Sequence, residues 1–165
     1  VLRPTKPRPA DLSTQGHRIM NICIAQTNPT VGDISRNLKD IMQRRMQAAA
    51  QGAQIIIVPE LALTGYPPQD LLLQPDLHQD VADAIATLQA QTCTCAILLG
   101  HPHKTPNALY NTATLIDDQR ILAQYHKIQR PNTGVFDEHR YFNAGHNTCV
   151  ITFRSRQIAL LICQD

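Results

Sequence analysis

The stretch ICIAQTNPTVGDISRNLKDIMQRRMQAAAQGAQIIIVP, running from Ile22 to Pro59, decides the fold. Its opening residues, Ile22 to Gln26, form a short β-prone run closed by Thr27, Asn28 and Pro29 and by the turn residues Gly32 and Asp33. From Ile34 to Gln51 the apolar residues Ile34, Leu38, Ile41, Met42, Met46 and Ala49 recur every three or four positions, and Gly52 supplies a C-terminal stop. That spacing predicts an amphipathic helix. Ile55 to Val58 is continuous and β-branched, as in a strand buried on both faces, and Pro59 ends it by having no N–H to donate. A helix between two buried strands is a βαβ unit.

Working outward, a loop from Glu60 to Gln74 carries Gly65, Pro67 and Pro68, and Asp76 to Gln91 reads as a second helix with Leu77, Val81, Ala84, Ile85 and Leu88 on one face. Ala96 to Gly100 is a further buried strand. Leu109 to Ile116 and Arg120 to His126 flank Asp117, Asp118 and Gln119 as a hairpin, and Cys149 to Phe153 and Gln157 to Cys163 flank Arg154 to Arg156 as another. Between the hairpins lies a long charged loop, Lys127 to Asn147, of a length usually functional or disordered. Parallel and antiparallel pairing are both implied, so the fold class is α/β with a mixed sheet. Val1 to Arg18, rich in proline, is expected to be a disordered N-terminal extension ahead of a domain over residues 19–165.

Composition narrows the function. A chain of 165 residues with 43% hydrophobic and 17% charged residues suits one globular domain. A net charge of +2 and 4% aromatics leave no basic field or stacking platform for nucleic acid. Apolar runs such as Ile158 to Ile162 fall far short of the ~20 residues of a membrane span. Five scattered cysteines without a CxxC pair suggest neither a disulfide framework nor a zinc site, and fit a reducing cytoplasm. Arg3, Lys6 and Arg8 stand among prolines without the apolar stretch of a secretory signal. His101 and His103 lack a carboxylate or cysteine to complete a metal site and read as solvated loop residues, while Cys93 and Cys95 read as core packing. No GxGxxG or phosphate loop appears, so this segment is expected to hold no metal or nucleotide cofactor.

Three polar residues stand at the carboxyl ends of three predicted strands: Glu60, Lys127 and Cys163. Those ends form the ligand crevice of open α/β sheets, and the three side chains converge there if their strands run parallel. A thiol with an ordinary pKa of ~8.5 is mostly protonated at neutral pH, whereas the thiolate is the nucleophile. Glu60 suits a general base, Lys127 a stabiliser of thiolate and oxyanion, and Cys163 a nucleophile for two-step amide hydrolysis. Singly, each residue also has a plainer reading: a core cysteine, a helix-capping glutamate, a solvated lysine.

The segments around the trio resemble a known family. Pro59-Glu60-Leu61-Ala62-Leu63-Thr64-Gly65-Tyr66-Pro67-Pro68 resembles the glutamate segment of nitrilase-superfamily (carbon-nitrogen hydrolase) amidohydrolases. Lys127 with Pro131-Asn132 and Val135-Phe136-Asp137-Glu138-His139-Arg140-Tyr141-Phe142 is similar to the lysine segment of one branch, the N-terminal glutaminase domain of glutamine-dependent NAD synthetases. Ile24 to Asp33 and Asp70-Leu71-Leu72 are similar to the same branch. The resemblance implies an α-β-β-α sandwich, here cut short after the nucleophile, with Glu60, Lys127 and Cys163 catalytic and Glu138 supporting them. It also implies Tyr66, Thr133 and Phe136 in the glutamine pocket. Thr133 stands where the family usually has a tyrosine, and Gln164 where it has an acidic residue. Further implied are L-glutamine as substrate, a synthetase domain using ATP and Mg in the parent chain, and a homo-oligomer at full length. The alternatives are a stand-alone amidase or carbamoylase and an inactive remnant serving as a binding module.

Overall fold

The computed structural model describes residues 19–134 and 136–165; the extension expected over Val1 to Arg18 lies outside them. Strand β1 (Ile22–Ile24), helix α1 (Ile34–Ala50) and strand β2 (Ile55–Ile57) form the βαβ unit the opening stretch predicts, with Ile22 in register with Ile55 and Cys23 with Ile56. Asp33 begins α1 by accepting the Arg36 N–H at 3.0 Å, which satisfies one of the free donors of the first turn. Gly52 ends the helix unit with φ +77.

The expected stripe of α1 packs against the core through Ile34, Leu38, Ile41, Met42 and Ala49, but the most deeply buried face is shifted from it. Ile34, Asn37, Ile41, Arg45 and Ala48 face inward, and Met46 is exposed. Arg45 is fully buried because its guanidinium donates to the carbonyls of Leu88 (3.1 Å) and Cys95 (2.8 Å). Those carbonyls close helix α2 (Pro75–Ala90) and open strand β3 (Ala96–Lys104). Helix α2 starts on Pro75, one residue before its predicted start, and buries Leu77, Val81, Ala84 and Leu88 as read.

Strand β3 runs four residues past Gly100, through His101-Pro102-His103. Pro102 is tolerated because β2 pairs only with Ala96 to Leu98, so beyond that point the β2-facing edge of β3 carries no ladder. The solvated-loop reading of the two histidines is therefore corrected. His101 is 1% exposed, and its Nε2 lies 2.7 Å from Thr114 Oγ1. Cys95 is buried in the core with Cys93 packed beside it, as expected.

Strand β4 (Leu109–Asp117) returns antiparallel to β3, and β5 (Arg120–His126) antiparallel to β4 through a turn with positive φ at both Asp118 and Gln119. The sheet order is β1-β2-β3-β4-β5, with β1, β2, β3 and β5 pointing one way and β4 the other. The carboxyl ends of β2 and β5 and the start of β4 therefore share one rim. A second sheet, β6 (Cys149–Phe153) and β7 (Arg156–Leu160), packs Phe153, Leu160 and Ile162 onto Ile55, Ala96, Ala113, Leu115 and Tyr125. The helices cover the opposite face through Ile41, Ala48, Val81, Leu88, Ile97 and Leu99. The result is a helix layer, a five-stranded mixed sheet and a two-stranded sheet. No described residue forms the outer helix layer of the expected four-layer sandwich. Ile22, Ile24, Val150 and Leu161 are exposed, and no helix among the described residues is long and apolar enough to cross a membrane.

Candidate active site

Glu60 follows β2 and enters a tight turn over residues 60–64. Gly100 on β3 lets that turn lie close to the sheet, since a Cβ there would sit 2.6 Å from Pro59 O and 2.7 Å from Leu61 N. Lys127 continues β5, its N–H donating to Asn111 O at 2.9 Å and its carbonyl accepting from Gly145 N–H at 2.8 Å. The backbone thus fixes both residues at one rim before their side chains meet.

The Lys127 ammonium donates to Glu60 Oε1 at 2.6 Å and to Glu138 Oε1 at 2.8 Å. Lys127 is 1% exposed and Glu138 4%. Glu138 is brought in by a short 3-10 helix, Glu138–Arg140, whose first N–H donates to Pro131 O. Asn111 Nδ2 donates to Glu60 at 2.7 Å, and the Tyr66 hydroxyl donates to Glu138 at 3.2 Å. Burial acts to depress the Lys127 pKa, but hydrogen bonds to Glu138 and Glu60, with their charges, outweigh it and hold the ammonium above its usual range. Lys127 therefore stays protonated at neutral pH. Burial, reinforced by the charges of Glu138 and Glu60, pushes the Tyr66 phenol well up, so it too stays a donor.

Cys163 departs from its expected place. Strand β7 ends at Leu160, and Cys163 lies beyond it, exposed, with φ +55, in a tight turn closed by Asp165 N–H donating to Ile162 O. The turn belongs to the second sheet, so Cys163 meets the rim from across the sandwich. It lines a cleft of roughly 120 Å³ together with Glu60, Gly100, Asn111 and Ile162. Burial and then the Glu60 charge raise the thiol pKa, opposed by Lys127 and raised further by Glu138. The thiol is neutral in this state and needs a base to ionise.

Tyr66 and Phe136 face each other with ring centroids 6.3 Å apart. Thr133 is exposed, and its carbonyl accepts the Phe136 N–H at 3.2 Å; none of the cluster's hydrogen bonds involves its side chain. A second pocket, about 230 Å³, is lined by Glu138 together with Tyr66, Asp70 and Tyr141. There the Tyr141 hydroxyl donates to Asp70 at 2.6 Å and Arg140 pairs with Asp70 at 3.4 Å, joining the Glu60 loop to the Lys127 loop. Asn111 was not singled out by sequence, and Asp70 only as part of the Asp70-Leu71-Leu72 stretch, with no role at the site. The available signal for Asn111 was a strand-depleted amide inside an apolar strand. Buried Glu138 Oε2 and Asn111 Oδ1 have no hydrogen-bond donor among the described residues, which suits a ligand offering N–H groups. No group of three or more His, Cys, Asp or Glu side chains among the described residues has metal-holding geometry.

The family profile described as carbon-nitrogen hydrolase matches residues 21–165, and the chain belongs to that family. Among curated proteins it is similar to the glutamine-dependent NAD(+) synthetase of Acinetobacter baylyi, 36% identical over 145 residues, covering 87% of this chain and 27% of that one. Among solved structures it is similar to the glutamine-dependent NAD+ synthetase from Acinetobacter baumannii in complex with adenosine diphosphate, with TM-score 0.84, 36% identity, and coverage of 87% of this chain and 27% of that one. It is also similar to a mutant of the amidase from Nesterenkonia sp. AN1 showing covalent addition of the acetamide moiety of fluoroacetamide at the active site cysteine. That match has TM-score 0.80, 29% identity and coverage of 88% and 56%. The chain spans about a quarter of the length of the curated synthetases it matches.

Proposed function

We propose that this segment hydrolyses the side-chain amide of L-glutamine through Glu60, Lys127 and Cys163. The ammonia would serve a synthetase domain of the parent protein, which uses ATP and Mg to convert deamido-NAD to NAD. The observation that carries the reading is the buried Lys127 ammonium clamped between Glu60 and Glu138, with Cys163 and Glu60 lining one cleft. The names of the synthetase relatives and the cysteine adduct of the amidase support it.

Since the thiol is held neutral and Lys127 is held charged, Glu60 is the group free to take the thiol proton. The Cys163 sulfur then bonds to the amide carbon, and Lys127 stabilises the negative charge that moves onto the amide oxygen. Collapse breaks the C–N bond, ammonia leaves with the proton returned by Glu60, and a thioester remains. Water attacks the thioester as Glu60 takes its proton, releasing glutamate and restoring the thiol. Glu138 keeps the ammonium aimed, while Tyr66, Phe136 and Thr133 border the substrate. No cofactor is assigned to this segment, and the full-length protein is read as a cytoplasmic homo-oligomer.

Ammonia release from L-glutamine by the full-length protein tests the reading. Cys163→Ala and Glu60→Gln should each lower it by at least about a thousandfold; retention of activity in Cys163→Ala would refute it. The similarity to the Nesterenkonia amidase keeps a second reading, an amidase of other small amides. Faster hydrolysis of simple aliphatic amides than of glutamine would favour it.

A further inference from the structure

We propose that Asp165 is a positioning residue that locks the Cys163 turn to the backbone directly after Lys127. The inference rests on the functional reading above for its kinetic consequence, but its geometry stands independently. Asp165 Oδ1 accepts the backbone N–H groups of Ile128 at 3.0 Å and Gln129 at 2.7 Å, the two residues following Lys127. Its other oxygen accepts the N–H of Ile162, the residue before Cys163, at 3.1 Å. The Asp165 N–H returns to Ile162 O at 3.2 Å and closes the turn. One carboxylate therefore ties two segments 36 and 37 residues apart, one carrying the ammonium and the other the sulfur.

Such a tie matters because Cys163 has few anchors of its own. It is exposed and sits at φ +55, a region that residues with a Cβ avoid unless neighbours hold them there. Ile162 fixes the turn on one side by burying its side chain. Asp165 fixes it on the other through hydrogen bonds to a charged acceptor, the stronger kind. Lys127 is already held by Asn111 and Gly145, so the distance between its ammonium and the sulfur is set through Asp165. Asparagine cannot substitute, because its amide turns one acceptor into a donor that confronts an N–H. Glutamate is one methylene too long for the same reach. Asp165 touches no reacting atom in this scheme.

The test uses the full-length protein carrying Asp165→Asn. The kcat for glutamine hydrolysis should fall about tenfold to a hundredfold, the scale expected of a misplacement near 1 Å. KM should stay within about twofold, because the groups bordering the substrate are untouched. Amide exchange in peptides containing Ile128, Gln129 and Ile162 should quicken together. An unchanged kcat, or a lowered melting temperature with kcat intact, overturns the proposal by leaving Asp165 a purely structural tie. If the variant does not fold, exchange at these amides in the wild-type protein decides: slow exchange at all three upholds the tie, and exchange at free-loop rates overturns it. A wild-type protein without glutaminase activity refutes the functional reading instead, and the exchange comparison still tests Asp165.

Discussion

Replacing Lys127 by methionine removes the cation that separates the buried Glu138 carboxylate from the partly buried Glu60 carboxylate. Both Glu60 Oε1 and Glu138 Oε1 lie within hydrogen-bond reach of the same nitrogen, at 2.6 and 2.8 Å, so they are left facing each other. At a separation of about 5 Å and an effective dielectric constant near 20, two like charges repel by roughly 3 kcal/mol. Breaking a buried ion pair by removing one partner costs about 3–5 kcal/mol in general, and Lys127→Met is expected in that range at pH 8. The pH dependence follows from which groups shift. In the wild type the Lys127 pKa is raised, so its contribution is fully present below the usual lysine range and lost only as pH rises above it. It is flat between pH 5 and 8. In the variant, loss of the cation raises a carboxylate's folded-state pKa above its unfolded value, so the penalty acts above that raised pKa and fades as pH falls through it. Urea unfolding followed by circular dichroism at pH 8 and pH 5 should therefore show a gap between variant and wild type that narrows at pH 5. A loss below about 1 kcal/mol at both pH values, or a larger loss at pH 5, would refute the account of the cluster.

Further outcomes follow from other contacts. Gly100→Ala places a methyl against Pro59 O and Leu61 N, so it should displace Glu60, lowering kcat by at least about tenfold and stability by about 1–3 kcal/mol in kinetic and unfolding assays. Glu138→Gln keeps one acceptor for Lys127 but loses a charge, and should lower kcat more than it raises KM in steady-state assays on glutamine. Burial depresses the His101 pKa to about 4, so His101 withholds stability as pH falls from the ordinary histidine range towards that value. Acid unfolding over that window should be shallower in His101→Gln, by on the order of 3 kcal/mol.

Much of this architecture was legible in the sequence because hydrophobic periodicity and turn residues agree locally. The β1-α1-β2 unit and the bounds of β5 and β6 follow from them. What escaped was decided by distant partners. Arg45 reads as a polar helix position, yet two open carbonyls draw it inside. His101 and Pro102 read as a loop, yet pairing with Thr112 and Asn111 extends β3 through them. Cys163 reads as the end of a strand, yet the Asp165 carboxylate turns the chain at Ile162. Glu60 and Lys127 could be placed at strand ends from sequence, but the amide of Asn111 and the Asp70 link between their loops could not. Each depends on residues tens of positions away.

The central claim is that the Cys163 sulfur is the atom that attacks a glutamine carbonyl. Incubating the full-length protein with a diazo-ketone analogue of glutamine and mapping the adduct by peptide mass spectrometry tests it directly. The account predicts one stoichiometric adduct on Cys163, protected by L-glutamine and lost in Glu60→Gln. Labelling of another cysteine, or of none in protein that is folded, would contradict it.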